Sequence, residues 1–349
     1  MADYEVSKLM WMGIVVALAA SIFVVTKPEV KSVASDTLAN VQKVIDQIQL
    51  PGDTNGNSNE KPNPDDPKWV VKGDYAINGS YVGDDKGNYV IYAKDTSKPI
   101  TFESKISEDG GSATATDPIT KGNTKLVTVE FMDTVQPLSS SEQFFEGDSN
   151  LEEIKGLDKF DMSKATSLMR WFADTPKLTS LDLHTWDISH VTNFNGMVTG
   201  ATGLKELNIS GWQWKGLVTD ADGNESELTN NMSMGNPFGG NTSLTTIDMS
   251  NSAVRDMTGF GVGFFSNTAT PALEHLNLKN SDFSRTHDLS NMFLNNTTIQ
   301  DVDVTGIKKA PKQYDNGVLG KTDVKTTNMT KGMTNTDLAT KLQTAFVEN

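Results

Sequence analysis

The 349-residue sequence contains no cysteine. Disulfides, thiolate metal sites and cysteine nucleophiles are excluded at once. An exported chain without disulfide caps leans towards a bacterial origin. Basic residues are also short, with 30 Lys and Arg against 45 Asp and Glu and a formal net charge of −15. A nucleic-acid partner would need a basic stripe to meet its phosphates, and none is visible, so no nucleic acid is expected. Histidine is scarce. His184, His190, His275 and His287 are scattered without zinc-ligand spacing. No GxSxG, phosphate-cradling glycine loop or nucleotide fingerprint occurs. The expectation is a protein that is not an enzyme and carries no cofactor or metal.

Long uncharged runs are nearly absent as well. The exception is Leu9 to Val25, LMWMGIVVALAASIFVV. As a helix it spans roughly 25 Å, slightly short of a hydrocarbon core. Trp11 suits an interfacial position at one end. Asp3 and Glu5 oppose Lys8 ahead of the run, and Ala17, Ala19 and Ala20 lie inside it. Both features argue against a cleaved secretory signal and for a retained membrane anchor. After Pro28, which begins a new helix or kinks a continuous one, Val30, Val33, Leu38, Val41, Val44, Ile45 and Ile48 keep a helical period. Residues 1–50 therefore read as a long hydrophobic and amphipathic helix with the membrane as partner.

Such a helix resembles the spine of a type IV pilin. Glu5 stands where a mature pilin places its glutamate, if Met1 is the mature first residue, although residues 1–8 are polar where a pilin is apolar. The resemblance implies self-assembly through residues 1–50.

Residues 51–68, PGDTNGNSNEKPNPDDPK, hold four prolines and no large apolar side chain, which makes them an extended linker. From Trp69 to about residue 122 the text alternates as strands do, in KWVVKGDYAI, NYVIYAK and PITFESKI, with turn residues at Asp84–Asp85 and Gly87. A small antiparallel β domain is expected there.

The second half carries a repeat. Leu178, Leu181 and Leu183 match Leu204, Leu207 and Ile209, then Leu244, Ile247 and Met249, Leu273, Leu276 and Leu278, and Ile299, Val302 and Val304. Looser copies begin at Leu126 and Leu151, and successive starts lie 25, 27, 26, 40, 29 and 26 residues apart. This is a leucine-rich-repeat signature. One unit buries apolar groups worth about 6–15 kcal/mol, whereas ordering its backbone costs about 26–50 kcal/mol. Such units are stable only when stacked.

Within LTSLDLHTWDISHVTNFNGMVTGATG (178–203), Trp186, Asp187, Ser189, Val191, Thr192 and Met197 follow the leucine strand in order. This stretch resembles the BspA-like leucine-rich-repeat family of bacterial surface proteins, over residues 123–306. The resemblance implies a mainly β fold: an irregular solenoid of about seven short-strand repeats, preceded by the small β domain and the long N-terminal helix. It also implies display outside the cell and adhesion to an extracellular protein or glycan ligand. A filament subunit whose N-terminal helix polymerises is the alternative.

An insertion after Trp214, residues 217–240, lengthens one unit. Insertions in solenoids emerge as loops on one face, so Trp212, Trp214, Asp220 and Asp222 are the candidate ligand contacts. Glu5, Trp11 and Pro28 are the candidate anchor or assembly positions. Residues 307–349 are expected to cap the last coil, with a short helix near Asp337–Phe346 begun by Asn335 or Thr336.

Overall fold

The computed structural model describes residues 61–102, 104–105, 114–115, 122–215, 217–219, 222–227, 236–255, 264–266, 268–315 and 321–348. Its strands open with β1 (Val71–Tyr75), β2 (Gly79–Gly83), β3 (Asn88–Ala93) and the two-residue β4 (Ile100–Thr101), β5 (Ser104–Lys105) and β6 (Thr114–Ala115). β7 (Thr128–Phe131), β8 (Val135–Gln136) and β9 (Glu153–Lys155) follow. Then come β10 (Ser180–Asp182), β11 (Glu206–Asn208), β12 (Leu217–Thr219), β13 (Glu225–Glu227), β14 (Thr246–Asp248) and β15 (Ala253–Arg255). The chain ends with β16 (His275–Asn277), β17 (Asp282–Arg285), β18 (Asp301–Asp303), β19 (Gln313–Asp315), β20 (Lys321–Asp323) and helix α1 (Thr336–Ala345).

Two five-stranded sheets organise these elements, in the orders β1-β2-β3-β7-β9 and β10-β11-β14-β16-β18. The second is wholly parallel and places Leu181, Leu207, Ile247, Leu276 and Val302 in one register. Side chains alternate across a strand, so when this central residue faces the core its two neighbours face out. All five central residues are buried.

Opposite the strands, six coils among the described residues turn on two left-handed residues four apart. The pairs are Gln143 and Gly147, Arg170 and Asp174, Gly196 and Gly200, Asn236 and Gly240, Asn291 and Asn295, and Asn328 and Gly332. Glycine and asparagine dominate because this conformation costs other L-residues about 1–2 kcal/mol. Arg170 is held there by Glu146 at 2.6 Å and Asp174 at 2.8 Å. Between the paired positions, apolar residues such as Trp171–Phe172 and Met292–Phe293 are buried. Their backbone ladders run coil to coil, as in Phe145 N–H to Trp171 O at 2.7 Å, Phe172 N–H to Met197 O at 2.8 Å and Phe293 N–H to Met329 O at 2.8 Å. One contiguous core runs from Tyr75 to Phe346.

The structure corrects the expected fold class. The ladder is not continuous, because β9 ends one sheet and β10 begins the other. At the break Gly156 adopts φ 78 and leads into a 3-10 turn, Leu157–Lys159. A Cβ at Gly156 would run into the Phe131 carbonyl oxygen at the end of β7, so only glycine fits there. The region 69–122 does not stand apart, since β3 pairs in parallel with β7 across the expected boundary at 122/123. The single α-helix among the described residues is α1, short and C-terminal. The long helix expected over residues 1–50 lies outside the described residues. Among the described residues, mixed and parallel sheets ending in one short helix therefore replace the seven-repeat solenoid with its separate β domain.

Helix α1 starts where capping chemistry directs. Asn335 Oδ1 accepts the Leu338 N–H at 3.1 Å, and Leu338 and Leu342 are buried on its inner side. Phe346 follows, fully buried, with its ring 5.0 Å from Phe283. The last coil is thereby covered.

Candidate functional site

The outward residues of the second sheet form columns, each side chain about 4.8 Å from the next. One column reads Asp182, Asn208, Asp248, Asn277, Asp303. Every member accepts, through Oδ1, the backbone N–H two residues on. The acceptances run to His184 at 3.4 Å, Ser210 at 3.1 Å, Ser250 at 2.8 Å, Lys279 at 3.0 Å and Thr305 at 2.8 Å. Asp and Asn make this turn because both carry a short-armed acceptor. Five carboxylates in register would repel, whereas alternating amides also donate: Asn277 Nδ2 gives a hydrogen bond to Asp248 Oδ2 at 3.1 Å. The side-chain and backbone hydrogen bonds from Thr305 hold the Asp303 carboxyl below its ordinary 3.8.

The neighbouring column is Ser180, Glu206, Thr246, His275, Asp301. His275 Nδ1 lies 2.6 Å from Asp301 Oδ2, and Gln300 Nε2 donates to Glu274 Oε2 at 3.0 Å. These groups are partly or fully exposed. Together the columns make a regular polar face of acceptors and donors, without a Phe, Tyr or Trp.

A groove of about 420 Å³ opens where the two sheets part, between β9 and β10. Glu153, Asp158, Asp182 and His184 line it, and His184 Nδ1 sits 2.6 Å from Asp182 Oδ1. No backbone hydrogen bond joins β9 to β10 among the described residues. A larger hollow of about 520 Å³ lies between α1 and the turn around Asn328. It belongs to the cap, far along the chain from the polar columns.

Of the four candidate contacts, Trp212 and Trp214 pack together with their rings 5.3 Å apart. Trp212 and Trp214 are 1% exposed. Trp212 Nε1 donates to the Leu183 carbonyl at 2.9 Å, just as Trp186 Nε1 donates to the Leu157 carbonyl at 2.8 Å one coil earlier. Further along the same column Ser252 Oγ reaches Ile209 O at 3.3 Å and Ser281 Oγ reaches Met249 O at 2.7 Å. The Trp186 and Trp212 indoles fill the core and each satisfies a buried carbonyl of the preceding coil, so Trp212 offers no surface contact. Trp214 packs its ring 4.7 Å from Phe194, and its Nε1–H is a buried donor without an acceptor among the described residues. Asp222 is exposed beyond the hairpin strand β12, while Asp220 lies outside the described residues. Glu5, Trp11 and Pro28 also lie outside them.

Sequence reasoning missed the Asp/Asn column. Its signal was present: the residue between the last two aliphatic positions of each unit is Asp182, Asn208, Asp248, Asn277 or Asp303. No group of three or more His, Asp or Glu among the described residues could hold a metal ion. No described helix is long and apolar enough to cross a membrane.

A family model described as "Mycoplasma protein of unknown function, DUF285" matches residues 121–232, less than half of the chain. The matched stretch begins just before β7 and ends beyond β13. No curated protein matches the chain, and no solved structure does.

Proposed function

We propose that this chain is a non-catalytic binding protein of the cell surface. The apolar segment Leu9–Val25 holds it to the membrane, residues 51–68 space it outward, and the polar columns of β10, β11, β14, β16 and β18 meet an extracellular protein or glycan. The observation that carries this reading is the in-register array itself. Exposed side chains repeat at strand spacing across five rungs, which suits hydrogen bonding to an extended partner better than turnover of a small substrate. Glu206, Thr246 and His275 are the chosen probes because none of them makes a turn-closing bond. The filament-subunit alternative rests on residues 1–50 alone and gains no support from the described residues.

Two measurements test the proposal. Protease added to intact cells should remove the region 62–349 while the N-terminal segment stays with the membrane. Full-length chain carrying Glu206→Ala, Thr246→Ala and His275→Ala together should lose binding to host-matrix proteins or a glycan array while melting as the parent does. Repeats shielded from protease on intact cells, or binding unaffected by the triple change, would sink the reading.

A further inference from the structure

The two ends of the stack are finished differently. At the C-terminal end α1 seats Leu342 and Phe346, both fully buried, over the last coil. At the other end β1 is the outermost strand of its sheet, paired on one side to β2. Residues Val71 to Asp74 are exposed, and no described strand covers their outer edge. Val70, Val71 and Ile77 are the exposed large hydrophobic side chains among the described residues, at 60%, 39% and 45%. All three lie in or beside this one strand. An open edge with apolar flanks is a template for another strand.

Edges are usually guarded by a charge that repels its own copy, most often Lys. Here the guard is self-complementary. β1 reads Val71-Lys72-Gly73-Asp74-Tyr75, with opposite charges placed symmetrically about a glycine. Turned antiparallel against itself around Gly73, the strand sets Lys72 opposite Asp74 of the second copy and Asp74 opposite its Lys72. Val71 then faces the second copy's Tyr75 position. Positions 72 and 74 share one face of the strand, so both ion pairs form on the same side. Gly73 itself brings no side chain to the two-fold axis, the Tyr81 ring of β2 covering it on one face, and an isologous contact of this kind closes as a dimer.

We propose that β1 is a self-association edge through which two copies of this chain pair antiparallel about Gly73. Lys72 now lies 3.1 Å from Asp65, and Lys94 lies 2.7 Å from Asp74, both as solvent-exposed pairs. Exposed pairs of this kind hold their partners weakly and do not oppose the exchange.

The absence of cysteine gives a clean test on the full-length chain in detergent. Lys72→Cys chains mixed with Asp74→Cys chains should form a disulfide at least about tenfold faster than either alone, because cross-strand positions meet at 4.5–5.5 Å and diagonal ones at about 7–8 Å. In sedimentation, Lys72→Asp or Asp74→Lys alone should weaken the dimer about tenfold, since each places two like-charge pairs across the axis. The combined K72D/D74K chain should recover it. The positions are exposed, so circular dichroism should remain that of the parent. A monomeric parent chain, equal cross-linking in all mixtures, or association indifferent to these charges (as self-assembly through residues 1–50 would be) overturns the proposal.

Discussion

Two buried tryptophans, two residues apart in sequence, separate the contributions of packing and hydrogen bonding. Trp212 and Trp214 are equally buried, and their rings stand 5.3 Å apart. Trp212 satisfies the Leu183 carbonyl, whereas the Trp214 indole N–H has no acceptor among the described residues. Replacing either by Phe removes similar volume. Only Trp212→Phe also removes a hydrogen bond, and Trp214→Phe instead removes a buried unsatisfied donor. We expect Trp212→Phe to lower unfolding free energy by about 1–3 kcal/mol more than Trp214→Phe does. Denaturant titration of the two variants would show this, and equal losses would mean that the indole–carbonyl column contributes no net stability. At this scale the sequence misled: beside an insertion both tryptophans read as ligand contacts, and only the packing shows that they are buried and which of them has found an acceptor.

The turn-closing carboxylates act at the scale of the rung. Asp161 lies below its ordinary pKa because the Ser163 hydroxyl and N–H both donate to it, with Gln136 adding a third hydrogen bond. Asp303 is lowered by the bonds from Thr305. Asp95, in the loop before β4, is pushed down to about 2 by the Ser97 hydroxyl and backbone N–H and by Lys98. Each of these carboxyls releases its proton more readily in the folded chain than in the unfolded one. Their stabilisation is therefore complete above the unfolded value of 3.8 and is lost as pH falls through the folded values towards 2. Melting temperature followed from pH 6 to pH 2 should hold steady and then drop below about pH 4. A curve that rises on acidification would show that relief of the −15 net charge outweighs the lost turns. The strand triplets were readable from their spacing of two. The break after β9 was not, since pairing joins strands about a coil apart and no local spacing records which pairs form.

For the molecule as a whole, stacked coils need covered ends, because each rung depends on its neighbour for burial. Phe346 contacts Phe283 and Phe293 from outside the last coil, at 5.0 and 6.2 Å. Phe346→Ala should cost about 3–5 kcal/mol and open the C-terminal coils first. Hydrogen exchange would then rise around Val302 and Leu276 before it rises around Leu181. Uniform exchange along the ladder would instead indicate that all coils unfold as one unit.

By itself the sequence determined which side chains face inward along β10, β11, β14, β16 and β18, since an aliphatic residue every second position can bury only one strand face. It also determined the polar, acidic exterior, the absence of cysteine chemistry and a terminal helix begun at Asn335 or Thr336, of which the structure takes Asn335. Tertiary structure alone decided that the rungs form two sheets, that 69–122 joins the first of them, and that Trp212 belongs to the core. The reason is physical. Periodicity records how a residue sits relative to its chain neighbours, whereas strand pairing, backbone collisions and hydrogen bonds between coils involve residues about 26 positions away or more, which no local pattern encodes.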